Sequence, residues 1–206
     1  MTEDARPPRG NLKIIRILLW ALVAVVGIYL AVYALAPRSQ LDGPKPLATN
    51  LGGPFSLTGG DGRPFSSAAL AGKPYAIYFG YTRCGDVCPI TLARLTRLRG
   101  QAGGDDAFAI LFVTIDPTND GPKEVGQYAE LFGAPIIGLT GSQAQIDRVK
   151  KQYGIFAAPE PMQGGGMKMD HTATVLLFDR DGKLAGTIAT DETDQAALAK
   201  LKHLTA

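Results

Sequence analysis

The segment Tyr78-Phe-Gly-Tyr-Thr-Arg-Cys-Gly-Asp-Val-Cys-Pro89 holds both cysteines of the chain, Cys84 and Cys88, at C-x3-C spacing. A mostly apolar run, Pro74 to Gly80, leads into it and reads as a buried strand. A helical pattern opening at Pro89 leads out, with apolar residues at 92, 95 and 98 and with Arg94, Arg97 and Arg99 turned mainly elsewhere. A strand that delivers two thiols to a helix N-terminus places them where the dipole and unpaired N–H groups favour thiolate over thiol. Such a pair can close a disulfide, hold a soft metal ion, or do both in turn. A bridge closing so short a loop removes little chain entropy, so the pair reads as functional rather than structural.

Outward from this segment the chain alternates strand and helix. Phe108 to Ile115 is a continuous apolar run of the kind found inside parallel sheets. Asp116-Pro117-Thr-Asn-Asp-Gly-Pro122 is a turn, Lys123 to Phe132 a helix, and Ile136 to Leu139 a short strand. Ser142 to Tyr153 reads as a helix with Ser142 as N-cap. The stretch from Gly154 to Asp170, with Pro159, Pro161 and Gly164 to Gly166, reads as a loop. Thr172 to Phe178 and Lys183 to Ile188 form a hairpin across Asp179-Arg180-Asp181-Gly182, and Thr193 to Leu204 is a closing helix. Upstream, Gly52 to Leu57 and Pro64-Phe65 flank the turn signal Gly59-Gly60-Asp61-Gly62, an N-terminal β-hairpin. The pattern predicts an α/β domain over 51–206, a mixed sheet with helices on both faces.

The N-terminus is of a different kind. Ile17 to Ala36 is a run of 20 residues without a charge, long enough at about 1.5 Å per residue to cross a hydrocarbon core of roughly 30 Å. Arg6, Arg9, Lys13 and Arg16 precede it, which keeps the head (residues 1–16) cytoplasmic and exports the rest. A cleaved signal peptide is the competing reading, weakened by the length of the run and by Pro37 just after the Ala34-Leu35-Ala36 site. Residues 37–50, with Pro37, Gly43, Pro44 and Pro46, form a linker. The expected location is a bacterial inner membrane, single-pass, with the domain in the periplasm. From Pro37 onward the chain carries 17 basic and 17 acidic residues, so no nucleic-acid footprint is expected.

The chain has only two histidines, His171 and His203. His203 falls in the closing helix, whereas His171 lies where the glycine-rich loop meets a strand, a usual place for ligand handling in α/β sheets. Two thiolates and one imidazole make a three-coordinate set that suits Cu(I) and can accept an added oxygen for Cu(II). Structural zinc normally takes four protein ligands, and no further cysteine is available. The metal candidates are therefore Cys84, Cys88 and His171. Asp86 is a candidate helix cap, thiol-tuning group or oxygen donor to Cu(II), and Asp170 a candidate orienting partner for the imidazole. Met162, Met167 and Met169 offer either soft thioether ligands or apolar cover. If the pair is instead redox-active, Cys84 attacks a client disulfide and Cys88 resolves. A peroxidase reading ranks last, because Thr82 lies only two residues before Cys84 where that class wants Thr-x-x-Cys.

On these residues the chain resembles the Sco/SenC family of membrane-anchored copper chaperones. The likeness is carried by Gly53-Pro54-Phe55, by Phe79 to Pro89, by Ile115-Asp116-Pro117 with Asp120, and by Asp170-His171. The resemblance implies a thioredoxin-like fold, copper held by Cys84, Cys88 and His171, and a single N-terminal anchor. It further implies delivery of copper to, or thiol reduction of, the binuclear copper centre of cytochrome c oxidase subunit II, with other periplasmic copper chaperones or thiol reductants as further partners. A membrane-anchored periplasmic thiol-disulfide oxidoreductase is the alternative. The chain departs from the family pattern at Gly85, where proline is usual, and at Asn119 and Gly121, where arginine and threonine are usual.

Overall fold

A computed structural model of the protein describes residues 11–35, 51–161 and 167–206. The chain divides into two compact units, Met1–Leu47 and Ala48–Ala206. In the first, α1 (Asn11–Leu35) is a 25-residue helix, and residues 14–29 are exposed on every face. Among the described residues, no helix is long and apolar enough to cross a membrane. The expected anchor ends on Ala36, which lies outside the described residues together with the linker 37–50 and the first ten residues of the head.

The second unit is built on a mixed sheet of seven strands. In chain order the elements are β1 (Ser56–Gly59), β2 (Pro64–Ser66), β3 (Tyr75–Gly80), α2 (Val87–Ala102), β4 (Ala109–Thr114), α3 (Pro122–Glu130), β5 (Ile137–Thr140) and α4 (Gln143–Gln152), followed by β6 (Ala157–Pro161), β7 (Met167–His171), β8 (Val175–Phe178), β9 (Leu184–Ile188) and α5 (Asp194–Thr205). The strand order is β2-β1-β5-β4-β3-β8-β9, and β6 and β7 form a separate two-stranded sheet. β3, β4 and β5 run parallel, with Phe79 opposite Val113 and Val113 opposite Leu139. β8 adds antiparallel to β3, and β1 antiparallel to β5.

The centre of the sheet forms where the sequence is apolar without alternation. Every residue of β3 is buried, as are Ile110 to Thr114 of β4, because both strands are covered on both faces. The predicted N-terminal hairpin is present, with Leu57 opposite Phe65 and Gly62 at φ 77° in its turn. Ser142 caps α4 through a reciprocal box. Its Oγ accepts from the Gln145 N–H at 3.3 Å while the Gln145 Oε1 accepts from the Ser142 N–H at 2.9 Å.

Two expectations are corrected. The segment 154–170 is not simply a loop, since its two ends pair as the β6–β7 hairpin, with Pro159 opposite Met169 and Ala157 opposite His171. Prolines argue against a central strand, but a two-stranded ribbon leaves each strand an open edge where a missing N–H costs nothing. Arg99, read as turned away from the core, is 1% exposed. Its guanidinium donates to the Pro135 carbonyl at 2.8 Å and to Asp105 Oδ1 at 2.9 Å, tying α2 to the approach to β5.

Candidate metal centre

Cys84 and Cys88 lie beyond the C-terminal end of β3. The loop after Gly80 turns on a hydrogen bond from the Cys84 N–H to the Tyr81 carbonyl (3.1 Å), and α2 begins at Val87. Cys84 therefore sits in the loop and Cys88 in the first helical turn, where its N–H donates to Cys84 Sγ at 3.4 Å. Asp86 occupies the N-cap position of α2 but makes no side-chain capping bond, so the capping role expected of it is not realised. Both thiols are unbridged.

What holds this loop is a carboxylate marked in the sequence only by its place in a motif. Asp120, 0% exposed, accepts from the Thr82 N–H at 2.9 Å, from Thr82 Oγ1 at 2.5 Å and from Thr114 Oγ1 at 2.6 Å. Its own carbonyl accepts from Thr140 Oγ1 at 2.6 Å. The cysteine loop is thereby fastened to the end of β4 by the Asp120 side chain and to β5 by its carbonyl. Beside it, Asp116 accepts from Arg83 at 2.6 Å and from Asn119 at 3.0 Å. The departure at Asn119 thus keeps a donor on Asp116. A Cβ at Gly85 would meet nothing within 4 Å, so a side chain could begin there without a clash.

His171 ends β7, and its pairing with Ala157 carries the imidazole to the cysteines. Nδ1 lies 3.1 Å from the Thr172 carbonyl, which can only accept, so Nδ1 bears the proton. Nε2 is left with its lone pair toward Cys88 Sγ, 3.6 Å away. Among the described hydrogen bonds it is therefore the Thr172 carbonyl, not Asp170, that orients the ring. Tyr78 and Tyr81 both pack edge-on against it, with centroids at 6.2 and 6.1 Å.

The three sequence candidates are thus brought together. One ligand atom each from Cys84, Cys88 and His171 all lie within 4.8 Å of one another. A trigonal ion with bonds of about 2.3 Å to sulfur and about 2.0 Å to nitrogen separates S from N by about 3.7 Å, close to the 3.6 Å observed between Cys88 Sγ and His171 Nε2. His203 is exposed on α5 and does not join them. Met169 is half-buried at the mouth of the site, its N–H donating to Tyr81 Oη at 3.4 Å. Met162 lies outside the described residues. A cleft of about 620 Å³ opens over the group, lined by Tyr81, Arg83, Cys84, Met169 and His171 among others.

The helix dipole does not decide the state of Cys88. Burial first, then the neighbouring Cys84, push its thiol up to about 12, because a thiolate at a site with no exposed surface forfeits its hydration. Cys88 is a protonated thiol near neutral pH until something displaces the proton. Cys84, 9% exposed, is the cysteine that lines the cleft.

Fold and site together define a mixed α/β domain that gathers a dithiol and an imidazole beyond the carboxyl ends of its central parallel strands. The profile of the SCO1/SenC family matches residues 44–206, and the chain belongs to that family. It is similar to Bradyrhizobium japonicum ScoI with copper bound, at 36% identity and a TM-score of 0.67, covering 75% of this chain and 99% of that one. Yeast Sco1 with copper bound is 29% identical at a TM-score of 0.66, covering 75% of this chain and 87% of that one. Protein SCO2, mitochondrial, of Saccharomyces cerevisiae is 35% identical over 131 residues, 62% of this chain and 44% of its own length. The chain spans about half the length of the curated relatives it matches.

Replacing Asp120 by alanine strips the acceptor from three buried or half-buried donors. Each unsatisfied donor costs about 1–3 kcal/mol, so guanidinium unfolding followed by circular dichroism should show a loss of about 3 kcal/mol or more. Cys84 should become faster to alkylate as its loop loosens. An Asp120→Ala chain with wild-type stability and wild-type alkylation would mean that the carboxylate does not hold the loop.

Proposed function

We propose that the protein is a copper metallochaperone. Its cargo, Cu(I), is held by the Cys84 and Cys88 thiolates and by His171 Nε2. The observation that carries this reading is the convergence of those three donors within 4.8 Å. Two soft sulfurs and one imidazole select Cu(I) over hard cations, and the set lacks the fourth ligand that structural zinc takes. The copper-bound relatives support it by their shared fold and their identity of 29–36%.

The chain's own groups suggest how cargo leaves. Cys84 faces the cleft, so a partner's thiolate reaches it first, while Cys88 and the Thr172-held imidazole stay fixed behind. As each incoming ligand replaces one of these donors, Cys88 recovers its proton, which its burial favours. The client we infer is the binuclear copper centre of cytochrome c oxidase subunit II, and the place a bacterial inner membrane with the domain in the periplasm. The apolar, exposed faces of α1 over residues 14–29 support an anchor there, continued by the uncharged run to Ala36. A thiol-disulfide exchange on the same pair is the second reading. The graded exposure of the thiols, 9% at Cys84 and 0% at Cys88, favours it by separating an attacking sulfur from a resolving one.

Anaerobic titration of the reduced full chain with Cu(I) against a competing chelator tests the first reading. One copper per chain should bind, and His171→Ala should weaken it by about a hundredfold or more, beyond the roughly 10–100-fold typical of losing an outer partner. Binding indifferent to His171 would leave the thiol exchange as the better account.

The same titration has a pH signature. Below its folded value of about 12, Cys88 carries a proton that the metal must displace. Affinity should therefore rise by about tenfold per pH unit from Cys88 alone between about pH 6 and about pH 8. A flat profile would remove Cys88 from the ligand set.

A further inference from the structure

His171 reaches the cysteines from a ribbon that stands apart from the main sheet, since β6 and β7 pair with each other and not with the seven strands. At its root the ribbon is closed by Phe156 and Thr172. The Thr172 N–H donates to the Phe156 carbonyl at 3.0 Å, and the Phe156 N–H to Thr172 Oγ1 at 3.1 Å. Those bonds join the two strands to each other and leave the ribbon's place over the cysteine loop to be set by something else.

Among the described residues, one hydrogen bond runs from the backbone of the ribbon to the cysteine loop. Met169 lies opposite Pro159, yet its N–H leaves the ribbon and donates to Tyr81 Oη at 3.4 Å. Tyr81 opens the cysteine loop. It directly follows β3, and its carbonyl accepts from the Cys84 N–H at 3.1 Å. Its buried ring stands edge-on to the imidazole, with 6.1 Å between centroids at 87°. One residue thus turns the chain toward the first cysteine and reaches the strand that carries the histidine.

Met169 and Thr172 bracket His171 along the chain. On one side Thr172 is bonded at the root, and its carbonyl lies 3.1 Å from His171 Nδ1. On the other side Met169 is bonded to Tyr81. A strand tied on both sides of one residue leaves that residue little room to turn or slide. A phenylalanine at position 81 would keep the ring against the imidazole, but the half-buried Met169 N–H would lose its acceptor. The hydroxyl is therefore the separable part of the tie.

We infer that Tyr81 is a positioning residue of the metal centre, whose hydroxyl ties β7 to the cysteine loop and so sets where His171 stands relative to Cys84 and Cys88. It touches no metal and acts through the backbone that carries the imidazole, in the manner of the outer partners that orient metal-ligating histidines. This inference rests on the copper reading of the site.

The test is Tyr81→Phe in the full chain, read with and without metal. In the metal-free protein, exchange of the Met169 amide hydrogen, followed by NMR, should quicken by about threefold to tenfold, as expected for one lost neutral hydrogen bond. Cu(I) affinity in chelator competition should fall by about the same factor. That fall should vanish when Tyr81→Phe is made in a His171→Ala chain, because the hydroxyl works through that imidazole alone. A merely structural tyrosine would weaken copper binding equally with and without His171, and that result overturns the proposal. Unchanged amide exchange, or unchanged affinity with His171 in place, overturns it too while leaving the copper site standing. A wild-type chain that holds no copper overturns the copper reading and this inference with it.

Discussion

The buried carboxylate of Asp120 is the constraint on which the site depends. A charged group at 0% exposure survives only because donors meet it on several sides. Those donors are Thr82 from the cysteine loop and Thr114 from the end of β4, while Thr140 from β5 meets the same residue's carbonyl. One residue thus converts the geometry of three parallel strands into the position of a loop. Cys84 lies two residues from Thr82, so where Asp120 sits decides where the first sulfur can be. The β6–β7 hairpin acts from the other side, carrying His171 at its end, and the Thr172 carbonyl sets which nitrogen faces the sulfurs.

Two opposing effects meet at Cys88. The helix N-terminus favours a negative sulfur, and burial opposes it. Burial wins, because Cys88 has no exposed surface and its backbone N–H is directed to Cys84 Sγ rather than to its own sulfur. The outcome bears on the proposed carrier rather than on thiol exchange, where Cys84 and not Cys88 is the attacking sulfur. A neutral buried thiol is a poor nucleophile, yet a soft metal can displace its proton and is then shielded from water. In the carrier we propose, releasing cargo returns the proton, so uptake and release are reciprocal with protonation of one sulfur.

Much of this was legible in the residues. β3 and β4 announced themselves as unbroken apolar runs, the first hairpin by its Gly-Asp-Gly turn, and α4 by Ser142, because each signal is local and has a single physical cause. The three side chains that converge were legible too, since a chain with two cysteines and two histidines leaves little choice. What escaped depended on partners distant in sequence. Arg99 looks like any helix arginine until Pro135 and Asp105 come to it. Asp120 looks like a turn residue until Thr82 arrives from 38 positions away. The β6–β7 ribbon was hidden because its prolines and glycines carry the composition of a loop, while an edge pairing tolerates them. Asp170 and Asp86 were assigned roles by adjacency, and in the folded chain a carbonyl and an empty cap take those places.

The central claim is that two sulfurs and one imidazole of a single chain form one copper site. Copper K-edge X-ray absorption on the anaerobically loaded, reduced protein addresses it most directly. The account predicts a low-coordinate Cu(I) with two sulfur neighbours and one nitrogen neighbour showing the outer-shell scattering of an imidazole ring. A first shell made of sulfur alone, or one with a single sulfur, would contradict it.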